Sequence, residues 1–309
     1  MKEERIEAAY KLLSPCVVCP HACQVDRLKD ELGNCRSGLK LKIASVGPHF
    51  GEEPPLSGTR GSGTIFFSNC NLRCLFCQNW QISQEGVGSY ITEEELAEKM
   101  LELQAMGVHN INLVSPTHFG PQILKTLIIA KNRGLHLPIV YNSGGYDSVE
   151  MLKLFEGYID IYLPDIKYSS NEKALKFSGI KNYVEFNRAA ISEMFRQVGN
   201  LKLDKEGIAK RGIIVRHLVL PFDLAGSYES LKFLASLSQQ IWISLMAQYY
   251  PCHKAIEHPL LSRKITPQEY QQVLTWAEKF GFENLLTQEL DSAEIYLPDF
   301  RKKRPFASD

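Results

Sequence analysis

The chain has 309 residues, and its 35 lysines and arginines balance 35 aspartates and glutamates to a formal net charge of zero. That balance argues against an extended basic surface for nucleic acid and against a polybasic membrane anchor. No uninterrupted apolar run reaches the roughly 18 residues of a membrane helix, and the start Met1-Lys2-Glu3-Glu4-Arg5 mixes acids with bases and has no apolar export signal, so the cytoplasm is the expected location.

In chain order, residues 3–13 read as a short amphipathic helix with Ile6, Tyr10 and Leu13 at helical spacing. Residues 14–38 are a cysteine-bearing loop module in which Cys16, Cys19, Cys23 and Cys35 follow the pattern C-x2-C-x3-C-x11-C. Four thiolates this close can complete a tetrahedral zinc site or a fully ligated iron–sulfur cluster, and the spacing leaves both open. Residues 47–63 carry five glycines and three prolines and read as an irregular linker or lid. Gly58, Gly61 and Gly63 look like a phosphate loop, but no lysine follows and a strand comes after them instead of before.

From Thr64 the pattern becomes regular. Strands are predicted over 64–68, 111–114, 138–141, 159–163, 213–220 and 241–246, all apolar on both faces as strands inside a parallel sheet should be. Thr92 and Glu95 write a capping box ahead of a Leu96, Met100, Leu103 stripe that Gly107 stops. Gly134 stops the next helix, and Thr266, Pro267 and Glu269 open the last one, with Gly281 beyond it. Six strand–helix repeats predict an α/β fold with right-handed crossovers, its sheet open or curled into a partial barrel, and ligands at the C-terminal strand ends. The division expected is a four-cysteine module with its linker over 1–62 and the α/β unit over 63–309. The tail Arg301-Lys302-Lys303-Arg304 reads as solvated.

Seven of the eight cysteines lie in the first quarter of the chain, which in a reducing compartment points to metal ligands more than to disulfides. Three of them form Cys70-Asn71-Leu72-Arg73-Cys74-Leu75-Phe76-Cys77, a C-x3-C-x2-C loop directly after the first predicted strand. Three thiolates on a short loop can hold three irons of a [4Fe–4S] cluster and leave the fourth open, the mark of a catalytic site. A zinc site completed by a distant histidine, or buried free thiols, are the plainer alternatives.

This loop, within Phe66-Phe67-Ser68-Asn69 through Gln78-Asn79, resembles the cluster loop of the radical S-adenosylmethionine (SAM) superfamily, in its glycyl-radical-enzyme activating branch. Pro48-His49-Phe50-Gly51-Glu52-Glu53-Pro54, His109–Val114, Tyr162–Tyr168 and Arg216–Pro221 resemble the pyruvate formate-lyase activating enzyme-like, PflX-type group. The resemblance implies a (β/α)6 partial barrel of radical SAM type, a [4Fe–4S] cluster on Cys70, Cys74 and Cys77, and SAM chelating the open iron. It also implies reductive cleavage of SAM to methionine and a 5′-deoxyadenosyl radical that abstracts hydrogen from a substrate, and an electron donor such as flavodoxin or ferredoxin. A glycine of a glycyl-radical enzyme is the substrate suggested by the group. Another peptide, an RNA or a metabolite is the alternative, and a non-catalytic metal or redox scaffold is the reading from a different class.

Phe76, between the second and third cysteines, is by this likeness an adenine contact. Asp165 and Lys167 alternate after the fourth strand, so both can face the mouth; the likeness places them near the methionyl group, with the lysine on its carboxylate. Arg216 lies in an apolar strand, where a charge needs a partner. Its fork suits a carboxylate, by the likeness that of SAM, while His217 beside it should face away and be packed. His253 is a further SAM contact by the same likeness. Where many relatives carry a Gly-Gly-Glu stretch for the SAM ammonium, this chain has Ser115-Pro116-Thr117-His118, whose carbonyls or Ser115 and Thr117 hydroxyls are the candidate acceptors. Asn142 is a candidate for the ribose or methionine, or a turn residue. Cys252 is a small core thiol or a hydrogen donor.

Overall fold

The computed structural model describes residues 2–292, 297–302 and 305–306. Helices α1 (Lys2–Lys11), α2 (Pro54–Ser57), α3 (Trp80–Ser83), α4 (Glu93–Ala105), α5 (Gly120–Asn132), α6 (Val149–Leu154), α7 (Asn171–Ser178), α8 (Tyr183–Val198), α9 (Ser227–Leu237) and α10 (Pro267–Lys279) alternate with strands. The strands are β1 (Leu41–His49), β2 (Ser62–Phe67), β3 (Ser89–Ile91), β4 (Ile111–Val114), β5 (Ile139–Ser143), β6 (Ile161–Pro164), β7 (Lys202–Leu203), β8 (Ala209–Leu218), β9 (Trp242–Met246) and β10 (Leu285–Leu286). All six predicted strands are present, as β2, β4, β5, β6, β8 and β9.

These six, with the short β10, pair in parallel and in chain order, from β2 through β4, β5, β6, β8 and β9 to β10. The order never reverses, so every C-terminal strand end lies on one side and the loops after β2, β4, β5, β6, β8 and β9 gather there. β2, β4, β5 and β6 are buried along their whole length, which accounts for their mostly apolar sequences. The capping boxes form as written, Thr92 with Glu95 and Thr266 with Glu269.

The stretch read as an irregular linker is the main correction. β1 runs into it and pairs antiparallel with β2 on one side and β3 on the other. Its Gly47 and Pro48 disguise a strand in the sequence. Pro48 lies beyond the part of β1 that β3 covers, an edge position where a missing N–H is tolerated.

The front segment shares the main core. Ala9, Leu12, Leu13, Cys16 and Val18 pack in the same cluster as Leu113, Tyr141 and Ile213 of the sheet. Arg27, 1% exposed, donates to the carbonyls of Gly38 at 2.7 Å and His118 at 2.7 Å, so it pins this segment to the loop after β4. Among the described residues no helix is long and apolar enough to cross a membrane. In the tail, Arg301 and Lys302 are exposed as expected and Arg301 pairs with Glu85 at 2.9 Å, while Phe300 is buried on Phe66, Ile82 and Val114. Lys303 and Arg304 lie outside the described residues.

Candidate functional site

The three-cysteine loop leaves β2 at the C-terminal edge of the sheet and is pinned from several sides. The Arg73 N–H donates to the Ser178 carbonyl (2.9 Å) and the Leu75 N–H to the Phe177 carbonyl (2.9 Å), both at the end of α7. The Arg73 guanidinium donates to the carbonyls of Cys70 (3.2 Å) and Ser83 (3.1 Å), and the Asn71 amide to that of Tyr146 (2.8 Å). Each sulfur has a donor: the Leu72 N–H toward Cys70 (3.4 Å), the Ser178 hydroxyl toward Cys74 (3.0 Å) and the Ser83 hydroxyl beside Cys77 (3.2 Å).

Burial, and then the neighbouring sulfurs, pushes the Cys70 and Cys77 thiols up to about 12, while Cys74 is raised by burial against the pull of the Lys167 ammonium. Three adjacent thiols, Cys74 buried and Cys70 and Cys77 half-buried, stay protonated unless a cation balances them, which is the charge logic of a metal cluster. Among the described residues no three His, Cys, Asp or Glu side chains converge as the site of a single ion. The thiolates of an iron–sulfur cube bind different irons, so they stand further apart than the ligands of one ion. Three soft donors, each hydrogen-bonded, with a lysine cation alongside, fit such a cluster.

Beside the loop lie two adjoining cavities. The smaller, about 170 Å³, is lined by Cys74, Phe76, Cys77, Asp165, Lys167 and Arg216 together with Tyr249. The larger, about 530 Å³, shares Arg216, Gln78 and Asn79 with it and adds Glu52, Glu53 and Asn142. Lys167 Nζ lies 2.5 Å from Asp165 Oδ2, both side chains under one-fifth exposed. Burial alone would lower the lysine, but Asp165 and Cys74 outweigh it and hold the ammonium above its ordinary value. Phe76 packs edge-on against Tyr249 at 5.7 Å.

Arg216 stands in the cavity as expected, but this chain already fills its fork. Glu53 takes it bidentately at 2.6 Å on both contacts, Glu52 meets the same terminal nitrogen, and Asn142 Oδ1 lies at 3.4 Å. Burial opposes the charge on Glu53, and Arg216 overcomes it, keeping the carboxyl below its ordinary range. Asn142 Nδ2 is buried without a hydrogen-bond partner, an orphaned donor at the cavity wall that fits a polar ligand.

Other expected contacts fall elsewhere. Thr117 and Ser115 do not line either cavity. The Thr117 hydroxyl donates to Asp147 at 2.6 Å, and the Ser115 N–H donates to the Asn142 carbonyl at 2.8 Å, in a left-handed turn with φ of 59°. His253 stacks on Trp80 at 5.2 Å beside Cys252, in a separate groove outside the strand ends, and the Cys252 thiol faces the Phe76 carbonyl at 3.5 Å. His217 is packed as expected, bonded to the Ile166 carbonyl at 2.7 Å and to Ser227 at 2.9 Å.

Asp147 escaped the sequence reading because its carboxylate has no nearby partner in sequence beyond Ser143. Fully buried, it accepts from the hydroxyls of Thr117 (2.6 Å), Tyr141 (2.9 Å) and Ser143 (2.6 Å), and so ties the loops after β4 and β5 together. Asp147→Ala strands three buried hydroxyls and is expected to destabilise the fold by at least about 3 kcal/mol, at about 1–3 kcal/mol for each unpaired group; urea denaturation reads it. Glu52 and Glu53 were likewise missed, although two adjacent acids in a Gly/Pro-rich stretch were the available signal.

The four front cysteines influence one another, but no three of them converge as the site of a single ion. Burial raises Cys19, and Cys35, Cys23 and Cys16 all act on it electrostatically; Cys23 accepts from the Asn34 N–H at 3.3 Å. This module touches the three-cysteine loop directly, through His21 on the Asn71 carbonyl at 2.7 Å and Arg73 on the Asn34 carbonyl.

The model of the Radical SAM superfamily matches residues 64–200. An uncharacterized protein of Methanocaldococcus jannaschii is 33% identical over 290 residues, spanning 90% of this chain and 79% of its own length. A pyruvate formate-lyase-activating enzyme of Clostridium pasteurianum is 26% identical over 199 residues, 61% of this chain and 74% of its own. A solved structure of TYW1 with a lysine–pyruvate adduct bound superposes with a TM-score of 0.50 at 13% identity, covering 74% of this chain and 78% of that one, a likeness of fold alone.

Proposed function

The chain belongs to the radical SAM superfamily, and from that premise we propose that residues 63–309 are a (β/α)6 partial barrel holding a [4Fe–4S] cluster on Cys70, Cys74 and Cys77. Sequential parallel order supports the barrel reading, with β10 at one edge and β1 and β3 covering β2 at the other. When bound, the cluster and SAM supply reductive cleavage of SAM to a radical that abstracts hydrogen. The observation that carries the proposal is the loop itself: three mutually adjacent thiols, each with a hydrogen-bond donor, at the ligand-binding end of the sheet.

In this reading Phe76 and Tyr249 offer aromatic surface to the adenine, and Lys167 meets the methionyl carboxylate while Asp165 holds the lysine in place. Asn142 donates its free Nδ2 to the bound ligand. Arg216 serves first as the partner of Glu53 and Glu52, and so shapes the floor between the two cavities. The buried walls of the smaller cavity keep water from the reacting atoms. The front residues 1–62 form a second metal module on Cys16, Cys19, Cys23 and Cys35, with a second iron–sulfur cluster favoured over zinc because no three described ligands converge on a single ion, seated against the loop by His21 and Arg73.

The likeness to the C. pasteurianum enzyme supports an activase-like role, with a glycine of a protein as the hydrogen source and a flavodoxin or ferredoxin as reductant. Anaerobic reconstitution is expected to give about four irons at the loop and, with dithionite and SAM, to release 5′-deoxyadenosine. Fully loaded protein that releases none would overturn the enzyme reading. A glycyl radical seen by EPR in a captured protein partner would establish the activase role. Turnover with a small metabolite or an RNA and no protein radical would replace it.

A further inference from the structure

Two hydroxyls outside the cysteine loop reach its sulfurs. Ser178, the last residue of α7, is fully buried, with its Oγ 3.0 Å from Cys74 Sγ and 2.7 Å from the Tyr168 hydroxyl. Ser83, the last residue of α3, lies 3.2 Å from Cys77 Sγ. A thiolate ligand has no proton to give, so both serines must donate. A serine owns one proton, and once Ser178 directs it at sulfur, the bond to Tyr168 can only run from the phenol to the serine. The chain from Tyr168 through Ser178 to Cys74 is therefore polarised toward the sulfur.

The loop fixes both serines through one residue. Arg73 donates its backbone N–H to the Ser178 carbonyl at 2.9 Å and its guanidinium to the Ser83 carbonyl at 3.1 Å. Gly179 then ends α7 with φ of 68°, a left-handed stop that leaves Ser178 at the helix end facing the loop. Among the described residues Cys70 has only the longer Leu72 N–H, so the side-chain donors seen there fall on two of the three sulfurs.

We propose that Ser83 and Ser178, the latter backed by Tyr168, are positioning residues that set the reduction potential of the cluster on Cys70, Cys74 and Cys77, an inference that rests on the cluster reading above. Reduction adds one electron to the cluster and makes it more negative. A donor on a ligating sulfur stabilises that state more than the oxidised one, so it raises the potential. These hydroxyls thus make the cluster easier to reduce by the external electron donor.

An EPR-monitored titration with dithionite, on reconstituted full-length protein without SAM, tests this. Ser178→Ala and Ser83→Ala are each expected to shift the midpoint negative with iron content unchanged, and the double variant to sum the two shifts. Tyr168→Phe should shift it less in the same direction, and Ser178→Thr, which keeps the hydroxyl, should restore it. Alanine variants with full iron and the parent midpoint overturn the proposal. If Ser178→Ala does not fold, Ser83→Ala decides alone by the same two outcomes. A parent protein that takes up no iron at the loop overturns the cluster reading and this inference with it, and iron analysis separates that failure from an unshifted potential.

Discussion

Cys74→Ala is expected to abolish 5′-deoxyadenosine formation and to strip iron from the loop. Cys74 is the buried middle cysteine, flanked by Lys167 and capped by Ser178, and no other described thiol is bonded into its position. The loss should exceed the about 10–100-fold that removal of an outer partner of a metal ligand costs, because here a ligand itself is gone. Iron analysis beside product chromatography checks both parts; wild-type product from the variant would remove the loop from the chemistry. The triple Cys70/Cys74/Cys77→Ala variant carries the same measurement to the front module. Metal retained there places a second site on Cys16, Cys19, Cys23 and Cys35, and metal-free protein refutes it.

Arg216→Ala is expected to give a large, pH-dependent loss of stability. It leaves Glu53 and Glu52 buried in the cavity wall without their cation. Removing one partner of a buried ion pair costs about 3–5 kcal/mol, since the charge left behind is uncompensated. The effect has a pH signature. In the parent, Arg216 holds the Glu53 carboxyl below its ordinary value near 4.5, so this contribution to stability is present above that pH and is lost as acid protonates the folded carboxylate. In the variant, burial without the guanidinium raises the carboxyl instead, so the penalty grows as pH rises and the gap between parent and variant narrows toward low pH. Urea denaturation at pH 7 and near pH 4 reads both. A gap that is constant with pH would mean that the ion pair is not its source.

Most of the parallel sheet was legible because strands buried on both faces are dominated by apolar residues, and β4, β5, β6 and β9 are, with Asn112, Asn142, Ser143 and Ser244 as the polar positions. The same logic hid β1, which is half-exposed and broken by Gly47 and Pro48, and β10, which is only two residues long. The metal loop was legible because thiol spacing within one loop is a local property. Its surroundings were not. Ser83 lies six residues past Cys77 and Ser178 lies 104 past Cys74, and nothing in a serine's own neighbourhood marks it as facing a sulfur.

Likewise, Arg216 was identifiable as a charge in an apolar strand that requires a partner, but not which partner. The separations of 163 and 164 residues to Glu53 and Glu52 are closed only by the way the segment after β1 folds against the strand carrying Arg216. His253, a SAM contact by likeness, stacks on Trp80, and Thr117, a candidate acceptor where the chain departs from its relatives, donates to Asp147. What the sequence by itself determined is whatever is local or periodic: the alternating elements, their caps, the three-cysteine loop and its place after a strand. Tertiary structure alone decided which side chains from different loops meet at the strand ends. Those contacts depend on the sheet's order and on burial, and a buried charge or hydroxyl takes the nearest group that can satisfy it, however distant in the chain.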